Sequence, residues 1–263
     1  NAKGKGEISD AVLMDDGHIL IADQYGIAEL DEQGAELWRS FAPQGTEIHT
    51  IQPIGKNHVV YVLNAKPAKV IVMKISNQKI VHEFVLPYDE KGSVHGQFRN
   101  ARLTSKGTLL VSNMAMGFVA EYNHRGKELN RWELFGPWSA SELPDGNILM
   151  VGRKGPVKEI KRDGTVVWEI NAVDYGLTNP QKAYRLANGN TVITNWFNEW
   201  NKKDVLQFNP SRAPLQMVEV TPDGYVAWQL SSWKGDCNLG PATTFQLLDE
   251  PIAREKYRFG KFK

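Results

Sequence analysis

The chain has 263 residues, 41% of them hydrophobic and 10% aromatic, enough apolar material for one large β domain or two smaller ones. Lysine plus arginine number 31 against 30 acidic residues, and the net charge of +1 gives no field that would recruit nucleic acid or an anionic membrane surface. The single cysteine, Cys237, excludes an intrachain disulfide and CxxC chemistry, and no run approaches the roughly 18–20 apolar residues of a membrane-crossing helix.

From Val12 a pattern begins that recurs along the chain. Val12–Ile21 reads as two short strands around Asp16-Gly17, where Asp and Gly accept the positive φ that a tight hairpin needs. Ala28–Trp38 adds an alternating run, a Gln33-Gly34 turn and a tryptophan four residues past the glycine, which predicts a second hairpin whose indole packs between sheets. The second unit is anchored at Asn57, with His82 standing where other units have Trp, and the third at Gly107. Glu142–Val151 and Lys158–Trp168 repeat both hairpins, and so do Arg185–Ile193 and Val218–Trp228. The anchors Gly17, Asn57, Gly107, Gly146 and Gly189 lie about 40–50 residues apart, the period of four-stranded propeller blades, and helical periodicity is nowhere sustained. The expectation is a single all-β domain over residues 1–263, a β-propeller of four-stranded blades.

Asn195–Arg212, with Trp196 and Trp200, is longer than a hairpin turn and rich in Asn, Lys and aromatics, the kind of insertion that carries function. Thr243–Pro251 then resembles only the first strand and turn of a further unit. Six blades, one of them incomplete, is the preferred count, with about three strands or roughly 30 residues expected ahead of Asn1. The alternatives are that residues 252–263 finish that blade or that the ring closes with five.

Glu47–Gly55, Ser93–Arg102, Pro137–Ala140, Arg185–Trp196 and Leu239–Pro251 resemble a group of bacterial, exported, six-bladed propeller proteins, similar in turn to the wider PQQ-like and NHL-like propellers. The resemblance covers nearly the whole chain. It implies an extracytoplasmic location, periplasm or cell surface, and a further partial blade at the N-terminus; it implies no activity. Quinoprotein dehydrogenases have more blades than this length holds and carry vicinal cysteines, so a bound quinone is not expected here.

Eight residues before each inner-hairpin anchor stand Ser9, His49, Arg99, Trp138, Gln181 and, with a slack of one, Thr243; next come Asp10, Thr50, Asn100, Ser139 and Lys182. In a propeller these positions open the innermost strands and converge on one mouth of the channel. Each unit presents a different functional group there, as a grafted site does and a bare repeat does not. His49 and His95 precede inner strands of neighbouring units, with Asp10 in the unit before. Either imidazole suits acid–base catalysis, and with Asp10 the pair suits a divalent metal, but spacing alone defines no ligand set and no cofactor is assigned. Arg99 and Arg102 offer guanidinium forks for a carboxylate or sulfate, although pairing with Asp or backbone carbonyls would occupy them equally well. Trp138, Trp196 and Trp233 offer indole faces for sugar rings, whereas Trp38, Trp132, Trp168 and Trp228 read as packing between blades.

No GxSxG elbow, P-loop, HExxH or dinucleotide fingerprint is present. The functional expectation is therefore a monomeric envelope propeller that binds a small polar or carbohydrate-like ligand. Its candidate contacts are Asp10, His49, His95, Gln97, Arg99, Arg102, Trp138, Gln181, Asn195, Trp196 and Thr243. Two rivals stand beside it: a glycan-cleaving hydrolase or lyase using His49 or His95 as acid or base, and a protein-interaction scaffold. Whether the chain is an enzyme is left open by the sequence.

Overall fold

The computed structural model describes residues 7–197, 214–233 and 240–263; Trp200, Cys237 and most of the Asn195–Arg212 insertion lie outside them. Each repeat unit folds as a four-stranded antiparallel meander with its strands in chain order. The first sheet is β1 (Asp10–Leu13), β2 (Ile19–Ala22), β3 (Gly26–Leu30) and β4 (Glu36–Phe41). The second is β5 (Glu47–Ile54), β6 (His58–Asn64), β7 (Lys69–Lys74) and β8 (Lys79–Val85), and the third β9 (Phe98–Leu103), β10 (Leu109–Asn113), β11 (Phe118–Tyr122) and β12 (Glu128–Glu133). The fourth comprises β13 (Pro137–Glu142), β14 (Ile148–Gly152), β15 (Pro156–Ile160) and β16 (Val166–Asn171), and the fifth β17 (Pro180–Arg185), β18 (Thr191–Asn195), β19 (Met217–Val220) and β20 (Val226–Leu230).

Burial falls from the inside of each meander outwards. The second strands β6, β10, β14 and β18 are buried almost throughout, whereas β4, β8, β16 and β20 face water along much of their length. A carboxylate on the third strand fastens four of the five sheets. Glu29, Glu121, Glu159 and Glu219 each bond the side chain that follows the inner turn glycine: His18, Thr108, Asn147 and Asn190. From the other side Trp38 Nε1 donates to Glu29 at 2.7 Å, and Asn130 Nδ2 donates to Glu121 at 2.8 Å. A buried carboxylate is tolerated only when its lone pairs are met in this way. The second sheet has Val72 in place of the carboxylate, opposite His82. His82 thus fills the tryptophan slot as a packing substitute, bonded to the carbonyl of His124 and 5.7 Å from the Phe262 ring. In that sheet the positive φ of the inner turn falls on Gly55 rather than at Asn57.

The described residues form two compact units, one of residues 7–141 with 246–263 and the other of those described within 142–245. The second unit packs around Leu149, Val151, Val157, Ile193 and Val218. In the first, one core centres on Ile27, Ile51 and Ile71, and another on Val60, Val72, Leu109 and Phe259.

The sixth blade expected from Thr243–Pro251 does not form. Residues 243–248 make no strand. Instead the Gln246 amide substitutes for a peptide group, accepting from Leu13 N at 2.9 Å and donating to Leu13 O at 3.0 Å, while Ile252 makes a single parallel bridge to Met14. The unpaired edge of β1 is thus met by one side chain and one bridge. Five four-stranded sheets are present among the described residues.

Beyond the bridge, residues 252–263 run as a strap across the turns of the first three sheets. Arg254 bonds Glu29 and, at 3.0 Å, Asp16; Gly55 N donates to Tyr257 O; Phe259, fully buried, and Phe262 enter the core beside Phe84 and His58. A Cβ on Gly260 would lie 2.2 Å from the His124 ring, so the strap approaches too closely there for any other residue.

Candidate functional site

Glu47 opens β5, and His49 lies two residues on, where the period of a strand returns side chains to the same face. The loop before β9 brings in His95. Glu47 Oε2 stands 2.8 Å from His49 Nε2 and 2.8 Å from His95 Nδ1, and Gln24 Nε2 donates to Glu47 Oε1 at 3.0 Å. The two imidazoles meet edge to face, with centroids 5.2 Å apart. His49 is 1% exposed and its Nδ1 lies 2.9 Å from Ser9 Oγ; the His95 side chain is 45% exposed.

Burial works against the charge of Glu47, but the hydrogen bonds from His49, His95 and Gln24 outweigh it and hold the carboxyl well below the usual carboxylate range. Burial, joined by the nearby Arg99 charge and opposed by Glu47, pushes His49 down to about 4. At neutral pH the carboxylate can only accept, so it fixes the tautomers: Nε2–H of His49 and Nδ1–H of His95 point to Glu47. His49 Nδ1 then accepts from Ser9. In the Nδ1–H tautomer of His95 the lone pair lies on Nε2, at the edge of a half-exposed ring. A carboxylate–imidazole pair of this kind is a positioned base.

Arg99 flanks the pair, 4.7 Å over the Trp138 ring and 3.7 Å from Glu7. The buried Trp138 Nε1 has no hydrogen-bond partner among the described residues. Gln97, fully buried, grips the loop that carries His95 by bonding Asp89 N, Asp89 O and Ser93 O. Its role in this structure is to brace.

Asp10 and Arg102 satisfy one another. Arg102 forks onto Asp10 at 2.8 and 2.6 Å, and Asp10 Oδ2 also accepts from Thr50 Oγ1 and Ile51 N. Both are buried, so this pair ties β1, β5 and β9 together and presents no fork to solvent.

In the second unit, Asn195 bonds Asn179 N and Leu215 O, and Gln181 reaches Asn179 O at 3.5 Å. Trp196 follows at the end of the described segment, its N–H donating to Asn179 O, and Lys182 Nζ donates to the hydroxyl of Thr244, beside Thr243. Trp233 is 4% exposed with its Nε1–H on Pro214 O, which corrects the expectation that its indole face is open to a sugar. Apart from the mutually bonded Asp10 and Arg102, the expected contacts fall into two groups. His49, His95, Gln97, Arg99 and Trp138 gather around Glu47 in the first unit, and Gln181, Asn195, Trp196 and Thr243 belong to the second. Glu47 was not among the expected site residues, although its place two residues before His49 on a strand was a usable signal.

No protein-family description and no curated protein matches the chain. Solved structures do. A Bacteroides caccae protein of unknown function is 24% identical with a TM-score of 0.73, covering 89% of this chain and 85% of its own. A catalytically inactive histidine-to-alanine form of virginiamycin B lyase from Staphylococcus aureus, with quinupristin, is 12% identical at a TM-score of 0.60, covering 90% and 74%. The WD40 β-propeller domain of Doa1 is 14% identical at 0.54, covering 68% and 58%. The fold is a β-propeller. At these identities the likeness carries the fold alone, and the chemistry rests on the Glu47 site.

Proposed function

We propose that this propeller binds a small polar, anionic ligand beside Glu47, His49 and His95 and that His95 moves a proton in it. The observation that carries this reading is the Glu47–His95 hydrogen bond, which orients the ring and leaves Nε2 as the base. Arg99, stacked over the Trp138 ring, supplies a cation for a carboxylate.

Between the two enzymatic readings, elimination is favoured over hydrolysis. Glycoside hydrolysis takes its leaving-group proton from a carboxylic acid, and Glu47 is held ionised. Elimination can run on one residue: Nε2 takes the proton next to the carboxylate, the electron pair forms a double bond, and the β-oxygen substituent leaves as an alcohol, taking its proton from water or back from the Nε2–H. A uronic-acid oligosaccharide fits this chemistry and the extracytoplasmic location that the sequence resemblance implies. The virginiamycin B lyase neighbour adds that a protein of this fold loses catalysis with a histidine.

The test is incubation with acidic and neutral oligosaccharides, following ultraviolet absorbance of an unsaturated product, with thermal shift in parallel. A ligand at 100 times its dissociation constant adds about 2.7 kcal/mol to stability. The expected outcome is a shift with acidic ligands that survives His95→Ala, and turnover that does not. Equal shifts with neutral sugars, or turnover retained in His95→Ala, would overturn the proposal.

A further inference from the structure

We infer that Glu47 Oε2, His49 Nε2 and His95 Nδ1 are also the three protein ligands of a divalent-metal site of the zinc class, with its open position on the His95 side. Among the described residues this is the one cluster of histidine, cysteine and carboxylate side chains whose ligand atoms all lie within 4.8 Å of one another. Glu47 Oε2 is 2.8 Å from each nitrogen. Around a tetrahedral ion with bonds of about 2.0–2.1 Å, neighbouring ligand atoms sit roughly 3.3 Å apart, so each oxygen–nitrogen separation has to open by only about half an ångström. Two imidazoles and one carboxylate form a donor set suited to zinc, and three protein ligands leave a fourth position for water or an anion.

The surroundings are those of a metal site as well. Gln24 holds the second carboxylate oxygen, which turns Oε2 towards the imidazoles, and Ser9 Oγ meets the far nitrogen of His49. Outer partners of this kind orient ligands and raise affinity. His49 is buried, Glu47 is 18% exposed and His95 45%, so a cation would be walled on one side and open on the other. A cation takes the place of the two N–H groups that point at Glu47, and each imidazole keeps its proton on the other nitrogen. His95 Nε2 is then no longer a base, so metal and proton transfer by His95 are alternative uses of one site. The Arg99 charge opposes a cation here, so removing it should favour the metal.

Chelator-treated full-length protein titrated with Zn2+ by calorimetry, and with Co2+ by visible absorption, tests the inference without any organic ligand. The expected result is one saturable site and a Co2+ spectrum of low-coordinate, nitrogen-containing type. His95→Ala, which removes a half-exposed side chain, should abolish both signals. Ser9→Ala should weaken Zn2+ by roughly 10- to 100-fold, and Arg99→Gln should leave binding intact or tighten it. No saturable binding, or binding that persists in His95→Ala, overturns the metal site. Neither result touches the elimination assay, which is run in chelator and fails or succeeds by itself.

Discussion

Water reaches the two imidazoles of the site very differently, and the difference has thermodynamic consequences. His49 is 1% exposed and pushed from 6.5 down to about 4, so the unfolded chain binds a proton there that the folded one refuses. Its contribution to stability is complete above about 6.5 and is lost as pH falls through about 4. Urea midpoints measured in chelator from neutral pH down to about 4 should therefore fall more steeply for the wild type than for His49→Gln; parallel slopes would contradict the assignment. The Asp10–Arg102 pair is the other residue-scale dependency. Arg102→Met removes both guanidinium bonds from the buried Asp10 carboxylate and should cost about 3–5 kcal/mol in denaturant titration. Restoring charge balance with Asp10→Asn in the same chain should recover part of that loss. His49 and Arg99 were legible from the sequence because counting back from each turn places strand starts together. Pairing of Arg102 with an Asp was one expected alternative, but Asp10 as that partner was not legible, because it appears only when strands from three sheets meet. Polar residues at neighbouring strand starts can satisfy one another as readily as they can greet a ligand.

Hairpins were the most legible elements, since turn glycines and alternating runs are local signals. The third-strand carboxylates were harder to see: Glu29 and Glu159 look like solvent-facing members of an alternation, and their burial follows from partners on neighbouring strands and turns. The sixth blade failed for a related reason. Thr243–Leu248 has a strand's composition, but Gln246 supplies by its side-chain amide what a strand would supply by backbone. After it, the strap inserts Phe259 among Val60, Leu109 and Tyr122. Phe259→Ala should destabilise the protein by about 3–5 kcal/mol, the usual cost of emptying a buried aromatic site, measured by chemical denaturation. Retained stability would mean that the strap is an ornament on the first three sheets.

Across the whole molecule, repetition made the architecture readable and concealed the chemistry. Equivalent positions in each unit announce a propeller, whereas Glu47, His95 and the strap are departures from the repeat. The strap also sets an order of events during synthesis. The first unit is closed by residues 246–263, which follow Glu142–Phe245 in the chain. At roughly 10 residues per second a ribosome needs about ten seconds to cross that stretch. Throughout that interval Glu29 waits without Arg254, and the core between the second and third sheets waits without Phe259. The nascent sheets must therefore survive with an apolar opening until residues 246–263 have been made and can seal it.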